Sequence, residues 1–437
     1  MVLSLSLVTS PEILYGEWMK GWKDGRTVTL FARGTSMPTR LTRSSRISLY
    51  YFLFYSTIAV WAPYFALYLH FRGLQSSSIG WILAIYPAVG LLIQPLWGIF
   101  NDHFHREWWT VVSAIILAPM AAWLFTQVSL AWYPLVAIAM ATFQTAIMPV
   151  ADSMTVGWLG PERYGESRLF GSLGYALIVA VAGLLYHTYG IGHFVDFYLL
   201  ASILAVIGGL QYPRPQSGPV KPKQTRPPWY AGLGALLSQP RFRVILFFSL
   251  FVTVSQSINA SYFSLYYRAT DHPLSWLGII LGIGAVSEIP VFYLSGRWIR
   301  RYGPARMLCL SGSIFAFRWL VVAFNPPTWG LVLLQCLHGP SFGLGLASGI
   351  NLAAEVSHSG NRVSAQSLYS ATSTGMAPLL GSIAGGYVLG WVGPTNFYWV
   401  DLAISLIGVA GIAHWVITRE QSQTDGAPER QTDYHER

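Results

Sequence analysis

The sequence predicts an all-α membrane protein: twelve transmembrane helices arranged as two parallel-repeat six-helix halves. Three observations predict it. The 437-residue chain is 53% hydrophobic and only 10% charged, where ordinary soluble domains carry about 25% charged residues. Its apolar residues come in runs of about 20, the length at which a helix crosses the hydrocarbon core. The phrase APYFALY at Ala62–Tyr68 returns as ASYFSLY at Ala260–Tyr266, five of its seven letters kept at an offset of 198.

Residues 1–40 lack the basic start of a secretory signal and are expected to form a poorly ordered tail. Met37 is a candidate alternative start, because MPTRLTRSSR is a basic lead-in to a first membrane helix. Twelve apolar segments follow, at 47–69, 79–101, 109–127, 131–156, 166–187 and 194–211, then at 242–267, 275–296, 306–324, 329–353, 364–389 and 395–417. They divide into a half at 41–211 and a half at 241–418, with a disordered tail at 419–437. Between the halves, Gln211–Trp229 carries six prolines and four basic residues. Proline removes a backbone donor and clashes with the preceding turn, so residues 212–240 read as an extended cytoplasmic linker.

Charge orients the chain. One set of alternate loops holds Arg40, Arg43, Arg46, Arg106, Arg163, the linker bases, Arg297, Arg300, Arg301, Arg306, Arg362 and Arg419, while the other holds only Arg72 and Arg268. Basic loops stay cytoplasmic, so both termini are expected in the cytoplasm of a cell (inner or plasma) membrane. The net charge of +9 follows from that bias and calls for no nucleic-acid partner. Cys309 and Cys336 lie in apolar runs and read as packing residues rather than a disulfide framework. No metal-spaced cluster or P-loop is present. No enzyme, metal or cofactor is therefore expected, and the chain is expected to act as a monomer.

The offset of 198 extends beyond the first phrase. Gly80 and Gly98 bracket the second segment as Gly278 and Gly296 bracket the eighth. The stripe Arg168, Ser172, Tyr175 aligns with Gln366, Ser370, Ser373, and Gly183 with Gly381. Parallel repeats place a binding site near mid-membrane between the halves. Tyr68 and Tyr266, which end the repeated phrase, are expected to anchor the outer membrane edge.

Two loops carry a family likeness. GIFNDHFHRE (Gly98–Glu107) and GRWIRRYGPAR (Gly296–Arg306) each resemble the G-x-x-x-D-R-x-G-R-R loop of the major facilitator superfamily. The first copy keeps Gly98, Asp102 and Arg106; the second keeps Gly296, Arg301, Gly303 and Arg306. Pro149–Tyr175, Leu333–Gly343 and Ala365–Ser370 resemble the phenylpropionate-permease-like branch, itself similar to lactose permease and nucleoside/proton symporters. The resemblance covers about residues 45–418 and implies twelve helices, alternating access and coupling to a proton gradient.

Ionised groups cost about 2.5–3.5 kcal/mol at mid-bilayer and mark functional sites. Five stand out: Asp152, Arg168, Glu288, Arg318 and His338. Asp152 and Arg168 fall at similar depth on neighbouring helices. They read either as a structural ion pair or as a substrate or gating contact, with Arg168 able to hold a carboxylate in two places. Glu288, near the middle of its helix, can carry a proton, or can stay paired with Arg318. His338 titrates in the useful range or packs as a hydrogen-bonded residue. The acid, Arg and His on three successive helices resemble the coupling set of lactose permease, except that Ser341 stands where that permease has a second acid. Gln144, Tyr175, Gln256, Asn259, Gln335 and Ser370 supply further polar pocket candidates, or interhelical hydrogen bonds.

The expected function is therefore secondary active transport of a small organic solute by alternating access, as a proton symporter. An aromatic carboxylate is the first substrate guess, with sugars and nucleosides open. The alternative is a proton-coupled efflux antiporter of the same fold.

Overall fold

A computed structural model describes residues 42–214, 233–357 and 362–425. The N-terminal tail with Met37, most of the proline-rich linker and the end of the C-terminal tail lie outside the described residues. Among the described residues, eleven helical segments are long and apolar enough to cross a membrane. In chain order these are α1 Arg43–Phe71, α2 Ser76–Phe104, α3 Glu107–Gln127, α4 Leu130–Leu159, α5 Glu162–Tyr189, α6 Ile191–Gln211, α7 Pro240–Ala269, α8 Leu274–Tyr302, α9 Pro304–Ala323 and α10 Thr328–Val356. The eleventh, Ser364–Thr418, is 55 residues long and loses helical geometry at Gly393 (φ 74°). We label its parts before and after that break α11 and α12. The expectation of twelve crossings divides the segment at this residue.

The break has a local cause that recurs. Gly160-Pro161, Gly303-Pro304 and Gly393-Pro394 each place a glycine at positive φ (78°, 82° and 74°) before a proline that starts the next helix. A left-handed residue ends a helix cheaply only without a Cβ, and proline at the first helical position forgoes a donor that would be orphaned anyway. Within the span expected as linker, Leu233–Ser238 forms a short helix, because the prolines end at Pro228 and resume only at Pro240.

Helix neighbours repeat in two sets. In the first, α1 packs on α5 and α6, α3 on α4 and α6, and α2 on α4. In the second, α7 packs on α11 and α12, α9 on α10 and α12, and α8 on α10. Shifting every label by six converts one scheme into the other. The sets meet along two seams, α5–α8 and α2–α11, which the same shift exchanges.

In lipid, helix association depends on close packing, which small residues permit. Gly174 lies against the Phe52 backbone, joining α5 to α1, and Gly381 lies 2.7 Å (as Cβ) from Ser257, joining α11 to α7. Both seams are tightest at one end of the bundle. There a Cβ on Gly80 would meet the Ser382 carbonyl at 2.7 Å, and one on Gly183 would meet Gly278 at 2.8 Å. Apolar side chains such as Leu177, Leu200, Ile203 and Phe247 are exposed around the outside, a surface suited to lipid.

Two aromatic expectations change. Tyr68 and Tyr266 are buried (1% exposed each) instead of standing at a membrane edge. Tyr68 stacks on Phe194 at 4.7 Å and accepts from Arg72 at 2.8 Å, while Tyr266 donates to the Val322 carbonyl at 2.8 Å. Their hydroxyls find partners at helix ends, so the rings can turn inward. Cys336, read as a packing residue, is exposed, while Cys309 is partly buried.

Candidate functional site

Opposite the sealed end, a cavity of about 890 Å3 opens between α2, α4 and α11. Its mouth carries Asp102 and Glu107, and its walls carry neutral polar groups, among them Gln94, Gln144, Ser153, Ser367 and Thr374. Its lining contains no Lys or Arg among the described residues. The mouth lies at the end that bears Arg106 and Arg163.

At depth the cavity meets a smaller chamber of about 170 Å3 enclosed by α1, α3, α4 and α6, with Tyr86 and Gln144 lining both. Trp61 and Tyr86, with ring centres 5.8 Å apart, and Tyr198 form aromatic walls. Gln144 Nε2 donates to the Tyr198 hydroxyl at 2.8 Å, which fixes the amide. Gln144 Oε1 and Trp61 Nε1 remain without a partner among the described residues. An acceptor and a donor on an aromatic shell suit a ring bearing hydroxyls.

Asp152, Arg168, Glu288, Arg318 and His338 are not among the residues lining either space. Glu288 Oε1 and His338 Nε2 are 3.1 Å apart, with side-chain exposures of 14% and 19%. The sequence of α10 makes this contact. Gly339 sits against the Ser287 carbonyl, where a Cβ could not fit, and donates its N–H to Ser287 Oγ at 2.9 Å. Pro340 cannot continue the regular ladder, and α10 passes through a tight turn at Gln335–Leu337 and a wide one at Gly339–Gly343. Wide turns of this kind recur at functional sites. Glu288 also acts electrostatically across the α5–α8 seam on Arg168 and Tyr175.

Arg318 makes no ion pair with Glu288 among the described residues. Its Nη1 donates to Ser341 at 2.9 Å and its Nη2 to Gln335 at 3.1 Å. Glu288 is taken by the histidine, and the serine in place of a second acid takes the guanidinium. Asp152 and Arg168 likewise form no ion pair among the described residues. Tyr51 stands between them: its hydroxyl donates to Asp152 at 2.7 Å, and its ring lies 5.7 Å from the Arg168 guanidinium. Arg168 rests closer, at 4.0 Å, on Tyr55, 5% exposed and with Nη1 unpartnered.

The remaining polar candidates separate. Asn259 accepts from Tyr398 at 2.7 Å as an interhelical bond, and Gln256 Oε1 is buried without a partner. Ser370 is off the cavity, its carbonyl accepting from Thr374 at 2.7 Å. The lining face of α11 runs through Ser364, Ser367, Ala371 and Thr374, one residue round from the anticipated stripe. In the loops, Gly98 and Asp102 line the cavity, Arg106 is exposed at the start of α3, and Gly303 ends α8. Gly296 and Arg301 lie in the last two turns of α8, with Arg301 over Tyr302 at 5.3 Å. Sequence reasoning missed Tyr51, Tyr198 and Tyr398, which carry no periodic signal. It also missed Asp401, a buried acid in α12 that the scarcity of charge could have flagged.

A helical bundle sealed at one end, with a cavity entering from the other and ionisable groups along the seam between two helix sets, defines a membrane transporter of small solutes. The chain belongs to the MFS_1 like family, whose model matches residues 44–400, within the major facilitator superfamily that the loops resemble. It is similar to the maltose permease of Geobacillus stearothermophilus, 28% identical over 395 residues, which covers 88% of this chain and 96% of that protein. It is also similar to a probable 3-phenylpropionic acid transporter of Escherichia coli, at 24% over 373 residues, with 82% and 94% covered. The crystal structure of the nucleoside transporter NupG superposes with a TM-score of 0.76 at 18% identity, over 86% of this chain and 99% of that one. These relatives are transporters, not enzymes.

Proposed function

We propose that the protein is a proton symporter for a neutral, hydroxyl-rich solute of the sugar class. The observation that carries this reading is the cavity itself: its wall is mostly apolar with amides and hydroxyls set into it, acids stand at its mouth, and no base among the described residues offers itself to an anion. A buried charge needs a partner, so a carboxylate would enter this space unfavourably. The similarity to a maltose permease supports the same class.

In this reading the open end is cytoplasmic, following the Arg-rich loops, and the conformation is the inward-facing state of a plasma-membrane protein. The solute ring enters the chamber beside Trp61, Tyr86 and Tyr198, held by Gln144. Proton handling falls to the Glu288–His338 pair, which joins α8 to α10 at 3.1 Å, beside the α5–α8 seam. Parting of that seam exposes the pair, so its protonation is tied to which end is open. The proton gradient supplies the energy, and the six-helix halves at 41–211 and 241–418 rock as a monomer about the site.

A second reading keeps an aromatic carboxylate as the solute. It is favoured by Arg168, whose buried Nη1 has no partner among the described residues, and by the similarity to a phenylpropionic acid transporter. Uptake of maltose and of 3-phenylpropionate into proteoliposomes, with and without an inward proton gradient, decides between them. Gradient-driven accumulation of maltose supports the first, of phenylpropionate the second. Export driven by the gradient identifies an antiporter, and indifference to the gradient rejects proton coupling.

A further inference from the structure

Asp401 on α12 is 1% exposed, and neither carboxyl oxygen has a hydrogen-bond partner among the described residues. The function proposed above does not use it. Its immediate surroundings are neutral. Ser255 of α7 donates to the Asp401 main-chain carbonyl at 3.3 Å, and Ser405, one turn on, is fully buried with an unpartnered hydroxyl.

The titratable or charged groups facing this corner are Tyr398 on α12, Tyr266 on α7 and Arg318 on α9. The Tyr398 ring lies 4.6 Å from that of Tyr266 and 5.8 Å from that of Trp319, the residue after Arg318. Among the described residues, Arg318, 2% exposed, bonds only the neutral acceptors Gln335 and Ser341 and leaves Nε without a partner. Among the described residues, the second helix set therefore holds a buried acid bonded to no cation and a buried cation bonded to no anion.

A carboxylate cut off from water and from cations is much costlier than the neutral acid, so Asp401 carries a proton in this conformation. Once ionised, it would attract a guanidinium through a weakly screening interior. We propose that Asp401 is a second proton-binding site, set behind the solute pathway, and that loss of its proton draws Arg318 away from Gln335 and Ser341. In that step the carboxyl O–H breaks, its proton passes to water and Arg318 moves. Gln335 and Ser341 lie about one turn on either side of His338, so Asp401 acts as a positioning residue for the groups beside the Glu288–His338 pair. That consequence rests on the coupling reading above; the proton site stands on its own geometry.

The test is infrared difference spectroscopy on the full chain in lipid nanodiscs, taken from neutral to alkaline pH. Asp401→Asn, which closely copies the shape of a neutral acid, is expected to lose a protonated-carboxyl band that Glu288→Gln retains. Asp401→Glu is expected to keep such a band at a shifted position, which covers a poorly folding amide variant. As the band bleaches, the fluorescence of Trp319, whose ring lies 5.0 Å from the Arg318 guanidinium, is expected to change. Subtraction of Trp319→Phe isolates that signal, and Asp401→Asn abolishes it. Absence of any band lost in Asp401→Asn overturns the proposal, as does bleaching with no Trp319 response. A protein that shows band and response yet accumulates no solute under a proton gradient rejects the coupling reading alone.

Discussion

Asp152 and Arg168 are held on opposite sides of Tyr51, whose hydroxyl donates to the acid at 2.7 Å while its ring faces the guanidinium at 5.7 Å. A hydrogen bond to a charged group contributes about 1.5–3 kcal/mol. Tyr51→Phe keeps the ring and removes that bond, so the purified protein is expected to unfold at a lower temperature. Equal thermal stability of the two proteins would show that the hydroxyl does not hold Asp152.

Glu288 meets His338 rather than Arg318. Glu288→Gln cannot release a proton but can still accept or donate a hydrogen bond across 3.1 Å. In proteoliposomes loaded with solute, this variant is expected to exchange solute at close to the normal rate and to lose accumulation driven by a pH gradient. Retained accumulation removes Glu288 from the coupling step.

The sealed end depends on glycine. Gly80→Val places side-chain atoms where the Ser382 carbonyl already lies 2.7 Å from a Cβ position. The wedge is expected to part α2 from α11 at that end. Spin labels at the exposed positions Ser78 and Trp391 should then move apart in the variant, and unchanged label distances contradict the seal.

Gln144 and Arg168 distinguish the two solute readings. For a neutral sugar, Gln144→Leu removes the fixed amide and leaves Tyr198 unpaired. Affinity should fall by tenfold or more, since about 1.4 kcal/mol is a factor of ten, while Arg168→Lys changes it little. For a carboxylate the order reverses, because lysine lacks the planar fork of arginine. Calorimetry with maltose and with phenylpropionate reads both.

Sequence periodicity found the helices because every membrane crossing must satisfy its own backbone in a long apolar run. The repeat at an offset of 198 reappears as matching neighbour schemes, since glycines in equivalent places permit equivalent close approaches. Scarcity of charge likewise brought out Glu288, His338, Arg168, Arg318 and Asp152. Their partners were not legible. Proximity along antiparallel helices suggested Asp152–Arg168 and Glu288–Arg318, yet Tyr51 and His338 intervene.

By itself, the sequence determined the membrane class, the helix segments, the family and the ionisable groups inside the membrane other than Asp401, all of which follow from local composition and spacing. Only the tertiary structure decided which end is open, which face of α11 lines the cavity and which neighbour each charge takes. Those depend on helix rotation and on single-residue contacts such as Gly339 on Ser287, where a few ångströms select one hydrogen-bond partner over another.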